Sequence, residues 1–279
     1  MDIPELIRKI GLRRGLSIRT INTYRQCVKL FFRQCSKDPK EVKKSDIEGY
    51  LDRLIEKGKA GNTVNVYLNA LKFFYNEILH KRLLLNMRFS KTPKEMPVVL
   101  TKEETKRLIE AIENPKHRLM VKLLYSAGLR VSELVNLKPE HFEFSKNYGW
   151  VRRGKGNKDR LFIVAEKLKE ELMSHITNEC PCQHSWLFEG KNGHITITTL
   201  QKIIKTAAKK ARIEKNVHPH TLRHSFATHL IENGYDVASV QSLLGHGSAA
   251  TTMVYVHMAS PRMINVTSPI EGLWASGMQ

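Results

Sequence analysis

The sequence predicts a mainly α-helical protein with a small antiparallel β-sheet, arranged as two domains. Apolar residues recur at helical spacing through residues 1–84, which favours a helical N-terminal domain. Two short β-type runs, residues 150–153 and 160–164, flank a glycine-containing turn and indicate one hairpin in a mixed α/β second domain. The length of 279 residues also favours two domains, since a domain usually holds about 100–200 residues.

Four helices are expected in the N-terminal domain. The first covers residues 4–12, and Ser17 is a plausible N-cap of the second. Ser45 is expected to cap a third helix that Gly58 ends, and Thr63 to open the fourth. The apolar stripes of the second and fourth helices are Ile21, Tyr24, Val28, Phe31, Phe32 and Cys35, and Val64, Tyr67, Leu68, Leu71, Tyr75 and Ile78.

Basic side chains are left facing outward from these helices. They are a solvated surface or a set of phosphate contacts, and the sequence does not separate the two. The residues are Arg13, Arg14, Arg19, Arg25, Lys29, Arg33, Lys43, Lys44 and Lys72.

Residues 85–97 contain two prolines and several polar residues, and their apolar residues show no clear helical or strand periodicity. This pattern indicates a linker before a second domain of residues 98–279. Thr101 and Glu104 form a capping-box pattern at the start of that domain. Further helices are expected at 119–127 ending at Gly128, at 165–176, from Thr198 or Thr199, around His220 and Arg223 up to Gly234, and at 236–244.

The net charge of +19 and the pI near 9.8 indicate a polyanionic partner. Residues 1–95 hold 21 Lys and Arg against 10 Asp and Glu, and residues 96–279 hold 25 against 17. Because both halves are basic, a protein that grips nucleic acid from two sides is favoured over one with a basic tail. A basic protein without such a partner is the alternative.

Other classes of protein are disfavoured by the composition. No apolar run approaches the ~18 residues of a membrane span, and the start lacks a signal-peptide pattern, so a cytoplasmic protein without membrane contact is expected. Four cysteines do not make a disulfide framework in a chain of this length. Cys180, Cys182 and His184 resemble half of a zinc site, but no second ligand pair follows, and no metal or cofactor is expected.

Residues 218–257 carry the most distinctive chemistry. His220 and Arg223 are three residues apart on an expected helix and therefore leave from one face. His246 lies between two glycines, where backbone can approach a ligand closely, and Tyr255 follows nine residues later. Cationic groups, histidines and a phenol together suit chemistry on a phosphodiester.

Two further basic residues have an ordinary and a functional interpretation. Arg130 stands at the start of an element in apolar surroundings, and it either forms a structural salt bridge with Glu133 or serves a site where Glu133 holds it. Lys155 lies between glycines in the expected hairpin, where a lysine is usually solvated.

These motifs together resemble one family. H-P-H-T-L-R-H-S-F-A-T, then L-G-H and a tyrosine nine residues later, preceded by S-A-G-L-R-V-S-E-L and G-K-G-N-K-D-R, resemble the tyrosine recombinases, or phage integrase family, most closely the Xer-type members. The resemblance covers nearly the whole chain. It implies an N-terminal core-binding domain and a C-terminal catalytic domain that form a clamp around DNA.

The resemblance implies that Tyr255 is the nucleophile and that Arg130 and Arg223 clamp the non-bridging oxygens of one phosphate. Ionising a phenol at pH 7 costs about 4 kcal/mol, which two guanidinium groups would lower. Neither metal nor ATP is required, because the covalent ester keeps the bond energy.

The remaining roles also follow from the resemblance. Lys155, rather than Lys158, is expected to protonate the leaving deoxyribose oxygen. His220 is expected to act as the general base for the tyrosine, and His246 to hydrogen-bond the phosphate.

The implied partner is a specific double-stranded DNA site, bound by a dimer and paired in a tetrameric synapse, with strand exchange through a Holliday junction. The implied task is the resolution of chromosome or plasmid dimers, and the sequence leaves integration open. A type IB topoisomerase-like nicking-closing enzyme and a non-catalytic DNA-binding protein are the alternatives. The apolar tail, which begins near Ser260 and Pro261, packs either on its own domain or, as the resemblance implies, on a neighbouring protomer.

Overall fold

A computed structural model describes residues 2–81, 96–152, 154, 159–180, 185–191 and 193–245 of the chain. It divides into two compact units, Met1–Glu95 and Met96–Gln279. Within the described ranges, no helix has both the length and the apolar character needed to cross a bilayer. The expected fold class is confirmed, since most of the structure is helical and its sheets are small and antiparallel. The domain boundaries 84/85 and 97/98 stay predictions, because most of the predicted linker lies outside these ranges.

In its described residues, 2–81, the first unit consists of four α-helices, the last of which continues as a short π-helix. The helices are α1 (Ile3–Arg13), α2 (Ile18–Cys35), α3 (Lys44–Glu56) and α4 (Gly61–Phe73), followed by the π-helix Phe74–Ile78.

Capping side chains explain where these helices begin. Ser17 accepts a hydrogen bond from the Thr20 N–H and caps α2, as predicted. The prediction for Ser45 is wrong, because the Asp46 carboxylate accepts from the Lys43 N–H and α3 therefore begins at Lys44. The prediction for Thr63 is also wrong, since α4 begins two residues earlier.

The core of the first unit is rich in aromatic rings. Phe31 lies edge-on to Tyr50, with 5.1 Å between the ring centroids, and Phe74 lies edge-on to Tyr75 at the same distance. All four rings are almost fully buried. Such edge-to-face pairs stabilise a core by about 0.5–1.5 kcal/mol beyond the area they bury. This packing fixes the predicted apolar stripes of α2 and α4 inside the bundle.

The second unit combines seven helices and five short strands in its described part. The helices are α5 (Lys102–Glu110), α6 (Pro115–Ser126), α7 (Val131–Val135), α8 (Glu166–Glu179), α9 (Ile197–Lys210), α10 (Pro219–Glu232) and α11 (Val237–Leu244). The strands are β1 (Phe142–Glu143), β2 (Tyr148–Val151), β3 (Arg160–Ile163), β4 (Glu189–Gly190) and β5 (Gly193–His194).

Helix starts in this unit were predicted with mixed success. Thr101 and Glu104 form the predicted capping box of α5. Helix α6 begins earlier than expected because Asn114 accepts from the His117 N–H. The start predicted at Thr198 or Thr199 is wrong, since Thr196 caps α9.

The predicted hairpin is present as β2 and β3, which pair antiparallel with Trp150 opposite Leu161 and Val151 opposite Arg160. Strand β1 adds a third strand to β2 that the sequence did not predict. Helix α10 packs on α6, and α11 packs on both α10 and β3. Helices α10 and α11 and the hairpin therefore form a continuous packed set that reaches α6.

Gly128 makes the turn between α6 and α7 possible. Its φ of +55° is a left-handed conformation, and a Cβ atom at this position would lie 2.3 Å from Cδ1 of Phe226 in α10. The chain can thus leave α6, pass closely under α10 and present Arg130 at the start of α7.

We predict that Gly128→Ala destabilises the second unit by about 2–4 kcal/mol, because it adds backbone strain to a clash with Phe226. Gly234→Ala is the matched control: its φ is +91° with open space around the added methyl, so only strain of about 1–2 kcal/mol is expected. Urea unfolding followed by tryptophan fluorescence measures the difference, since all three tryptophans lie beyond residue 95. Equal losses for the two variants would contradict the close packing.

Candidate active site

Three of the six predicted site residues lie in the described structure, namely Arg130, His220 and Arg223. Lys155, His246 and Tyr255 lie outside the described residues, and their roles stay predictions. The three described residues come from the start of α7 and the first turns of α10, and the buried carboxylate of Glu133 lies beside the two arginines.

Arg130 is the N-cap residue of α7 and is bound to Glu133 twice. Its backbone N–H donates to Glu133 Oε2 at 2.8 Å, and its Nη1 donates to Oε1 at 2.6 Å. The Arg130 side chain keeps 19% of its surface exposed, whereas Glu133 keeps 4%. The Glu133 carboxylate therefore holds the Arg130 guanidinium through Nη1, while part of the guanidinium stays exposed to solvent.

Arg223 lies on α10 and is almost fully enclosed, with 3% of its side chain exposed. Nη1 donates to the Gly128 carbonyl at 2.6 Å, and Nη2 donates to the Leu244 carbonyl at 2.5 Å. Nη1 also lies 3.8 Å from Glu133 Oε2. Arg223 thus links the α6–α7 turn, α10 and the end of α11.

Glu133 remains ionised despite its burial. Burial alone would raise the pKa of this carboxyl, but the hydrogen bond and charge of Arg160, together with the two bonds from Arg130, outweigh that effect and lower the pKa to about 2. A buried carboxylate needs such partners, because an uncompensated charge in this position is strongly destabilising. The ion pair expected under both interpretations is present, and the catalytic role of Arg130 stays a prediction.

Arg160 was missed in the sequence as a member of this cluster. It begins β3, its side chain is 9% exposed, and its Nη2 donates to Glu133 Oε2 at 2.6 Å. The signals in the sequence were a charged residue at an expected strand position, five residues after Lys155, and its place at the end of the G-K-G-N-K-D-R motif. Its partners Glu133 and Leu243 are 27 and 83 residues away in the sequence, and no local sequence pattern predicts contacts at such separations.

His220 stands in a row of histidines on α10. Its ring centroid lies 6.3 Å from those of His218 and His224. The His220 side chain is exposed to solvent on one side. Partial burial of the ring nevertheless lowers the pKa of His220, and the charges of His218 and Arg223 lower this pKa further. A neutral imidazole is therefore favoured at pH 7, which is the form that can accept a proton.

The other described histidines of this region are structural in their contacts. Burial lowers the pKa of His224 to about 4, so it is neutral at pH 7. His229 is buried, and its Nδ1 lies 2.8 Å from the Tyr125 hydroxyl.

The possible zinc half-site of Cys180, Cys182 and His184 lies only partly within the described residues. In the part of the chain that the structure describes, no three His, Cys, Asp or Glu side chains are placed to hold a metal ion. Cys180 Sγ contacts the carbonyls of Trp186 and Leu187 at 3.7 Å, while Cys182 and His184 lie outside the described residues.

This arrangement can bind an oxyanion. Three guanidinium groups, from Arg130, Arg160 and Arg223, surround one carboxylate, which leaves an excess of two positive charges. Guanidinium donors fixed in a largely enclosed site stabilise the charge that develops on a phosphoryl group in the transition state.

Comparison with protein families identifies the chain. The model of the phage integrase family matches residues 98–262, and the model of the phage integrase N-terminal SAM-like domain matches residues 5–84. The two matches together cover most of the chain and follow the order of the two units.

Individual relatives agree with this result. The chain is 32% identical to a tyrosine recombinase XerD of Listeria monocytogenes over 95% of this chain and 96% of the relative. It is 39% identical to the tyrosine recombinase XerA of Pyrococcus furiosus over 77% of this chain and 76% of the relative. The crystal structure of the XerH site-specific recombinase bound to palindromic difH substrate, a post-cleavage complex, shares the fold with a TM-score of 0.73 and 24% identity, covering 97% of this chain and 85% of that one. The chain belongs to the phage integrase family and is a tyrosine recombinase of the Xer type.

Proposed function

We propose that the protein binds a specific duplex DNA site and exchanges strands there through a 3′-phosphotyrosine ester at Tyr255. The observation that carries this proposal is the arginine cluster around Glu133, which presents positive charge at one edge of an otherwise buried ion-pair network. Family membership supplies the reaction class, and the cluster supplies the phosphate site that this class needs.

The proposed reaction needs no metal or ATP. Arg130 and Arg223 hold the non-bridging oxygens of the scissile phosphate while Tyr255 attacks the phosphorus in line. The bond between phosphorus and the 5′ oxygen of the downstream deoxyribose breaks, and the phosphate stays attached to the 3′ oxygen of the upstream one. His220 accepts the phenol proton, Lys155 gives a proton to the departing oxygen, and His246 hydrogen-bonds the phosphate. The reverse attack by a deoxyribose hydroxyl on the ester rejoins the strands and releases Tyr255.

Helix α2 supports the binding of DNA by the first unit. Its 18 residues include no Asp or Glu, and one exposed face carries residue types that bind phosphates and base edges. This face consists of Arg19, Asn22, Thr23, Gln26, Lys29 and Arg33. Four of the other predicted contacts are less available: Arg14 pairs with Glu77, Lys44 pairs with Glu48, and Arg25, Lys44 and Lys72 are half-buried. The remaining two, Arg13 and Lys43, are exposed.

The second unit offers a further basic surface on α9. Lys202, Lys205 and Lys209 are exposed, whereas Lys210 is bound to Glu113 at 2.8 Å. Basic surfaces on both units favour the clamp in which the duplex is gripped from two sides. The solved XerH complex with difH DNA supports the same partner.

The proposed biological task is the resolution of chromosome or plasmid dimers in the cytoplasm before cell division. Two protomers bind one site, and two occupied sites pair in a tetrameric synapse that passes through a Holliday junction. The similarity to Xer-type recombinases motivates this task, and integration of a DNA element is the alternative. Sequencing of the genomic fragments that the protein captures covalently identifies the site, and failure to enrich any one sequence would contradict site specificity.

We predict that Tyr255→Phe abolishes the SDS-resistant protein–DNA adduct on a nicked duplex that carries the captured site. Duplex affinity should change little, because it rests on many basic contacts and should fall steeply with salt in both proteins. Tyr235→Phe, at an exposed tyrosine, is the matched control and should form adduct normally. An adduct that persists in Tyr255→Phe would show that another side chain is the nucleophile.

We predict that Lys155→Ala cleaves ordinary DNA about 100-fold more slowly or worse, since general acid catalysis typically contributes that much. Most of the rate should return on DNA with a sulfur at the 5′-bridging position, because a thiolate leaves without a proton. Lys158→Ala serves as the control from the same turn. If Lys155→Ala is equally impaired on both substrates, the residue positions the phosphate and does not protonate the leaving group.

A further inference from the structure

Arg160 uses all three of its guanidinium nitrogens within the described structure. Nη2 and Nε donate to Glu133 Oε2 and Oε1 at 2.6 and 3.5 Å. Nη1 donates to the carbonyls of Leu243 at 2.5 Å and Leu161 at 3.1 Å. The side chain is 9% exposed and is fixed by these contacts.

The acceptor sites of Glu133 are divided between two arginines. Oε2 accepts from Arg160 Nη2 and from the Arg130 backbone N–H, and Oε1 accepts from Arg130 Nη1. In the part of the chain described, neither Nε nor Nη2 of Arg130 donates to Glu133. Arg160 therefore balances the buried carboxylate with a second guanidinium and leaves part of the Arg130 fork for another acceptor.

Without Arg160, the nearest cations to Glu133 would be Arg130 and Arg223. Arg223 Nη1 stands 3.8 Å from Glu133 Oε2, so a movement of roughly 1 Å would bring it to hydrogen-bonding distance. A buried carboxylate that loses a partner draws on whatever donors remain. Both arginines would then be displaced toward Glu133.

Arg160 also stabilises the C-terminal end of α11. It bonds the Leu243 carbonyl, while Arg223 bonds the next one, at Leu244. The last carbonyls of a helix lack intrahelical partners, and cations are favourable there. Gly245 follows with a φ of +60°, and a Cβ atom there would lie 2.7 Å from Arg160 Cδ. Arg160 thus joins β3, α7 and the end of α11.

We propose that Arg160 is a positioning residue for strand cleavage. It holds Glu133 and the end of α11 so that Arg130 and Arg223 remain in place for the scissile phosphate. This inference rests on the proposed function, because it concerns the same phosphate site. Arg160 itself does not touch the DNA.

The test compares Arg160→Gln, Glu133→Gln and the double variant with the wild-type protein. Single-turnover adduct formation is measured on a nicked duplex carrying the captured site, together with duplex affinity and thermal unfolding. We expect Arg160→Gln to slow adduct formation about 100-fold, as a small misplacement of catalytic groups can. Duplex affinity should stay within about threefold, since it rests on many other contacts.

The double variant tests how Arg160 acts. Because it contains no unpaired carboxylate, it should form adduct at least as fast as Arg160→Gln alone. A rate that falls by the product of the two single losses would overturn the inference, since the residues would then act independently. Duplex affinity that falls in parallel with cleavage would also overturn it, by making Arg160 a DNA contact.

Two controls complete the experiment. Arg107→Gln removes an exposed arginine of the same unit and should leave adduct formation unchanged. If Arg160→Gln does not fold, Arg160→Lys keeps a cation near Glu133 but cannot reach the Leu243 carbonyl at the same time, and a wild-type rate in that variant would overturn the inference. A wild-type protein without adduct would overturn the proposed function itself, whereas wild-type adduct with an unaffected Arg160→Gln overturns this inference alone.

Discussion

The arrangement of the site depends on the ion pairs that the buried carboxylate of Glu133 forms with three arginines. The carboxylate stands 4% exposed among three guanidinium groups and stays ionised because Arg160 and Arg130 lower its pKa to about 2. Each guanidinium comes from a different element: Arg130 from the start of α7, Arg160 from β3 and Arg223 from α10. One negative charge thus holds together elements that the chain supplies far apart.

The same ion pairs explain why a basic protein can build a site for an anion without repulsion among its own arginines. Three guanidinium groups within reach of one another would repel in the absence of Glu133. With the carboxylate present they share a fixed geometry and retain an excess of positive charge. His220, lying outside this network and favoured in its neutral form, keeps the capacity to accept a proton. In the proposed reaction, the charge for the phosphate and the base for the nucleophile therefore come from separate groups.

Local features were predictable from the sequence because their causes are local. The N-caps at Ser17 and Thr101 depend on residues three positions along, and both were predicted. The start near Ser45 was misplaced because the Asp46 carboxylate accepts a hydrogen bond from the Lys43 N–H, so that the helix begins at Lys44. Strand β1 is two residues long and exists only through its pairing with β2, so no periodicity marks it. Arg160 was missed for the same reason, since its role arises from contacts across the fold.

The central claim is that Glu133 sets the positions of the arginines for catalysis and does little for DNA affinity. Single-turnover adduct formation by Glu133→Gln, with duplex affinity measured at the same salt, tests it most directly. The amide keeps the shape of the side chain but removes the charge, so adduct formation should fall about 100-fold while affinity stays within about threefold. A Glu133→Gln protein that folds and forms adduct at the wild-type rate would contradict the account.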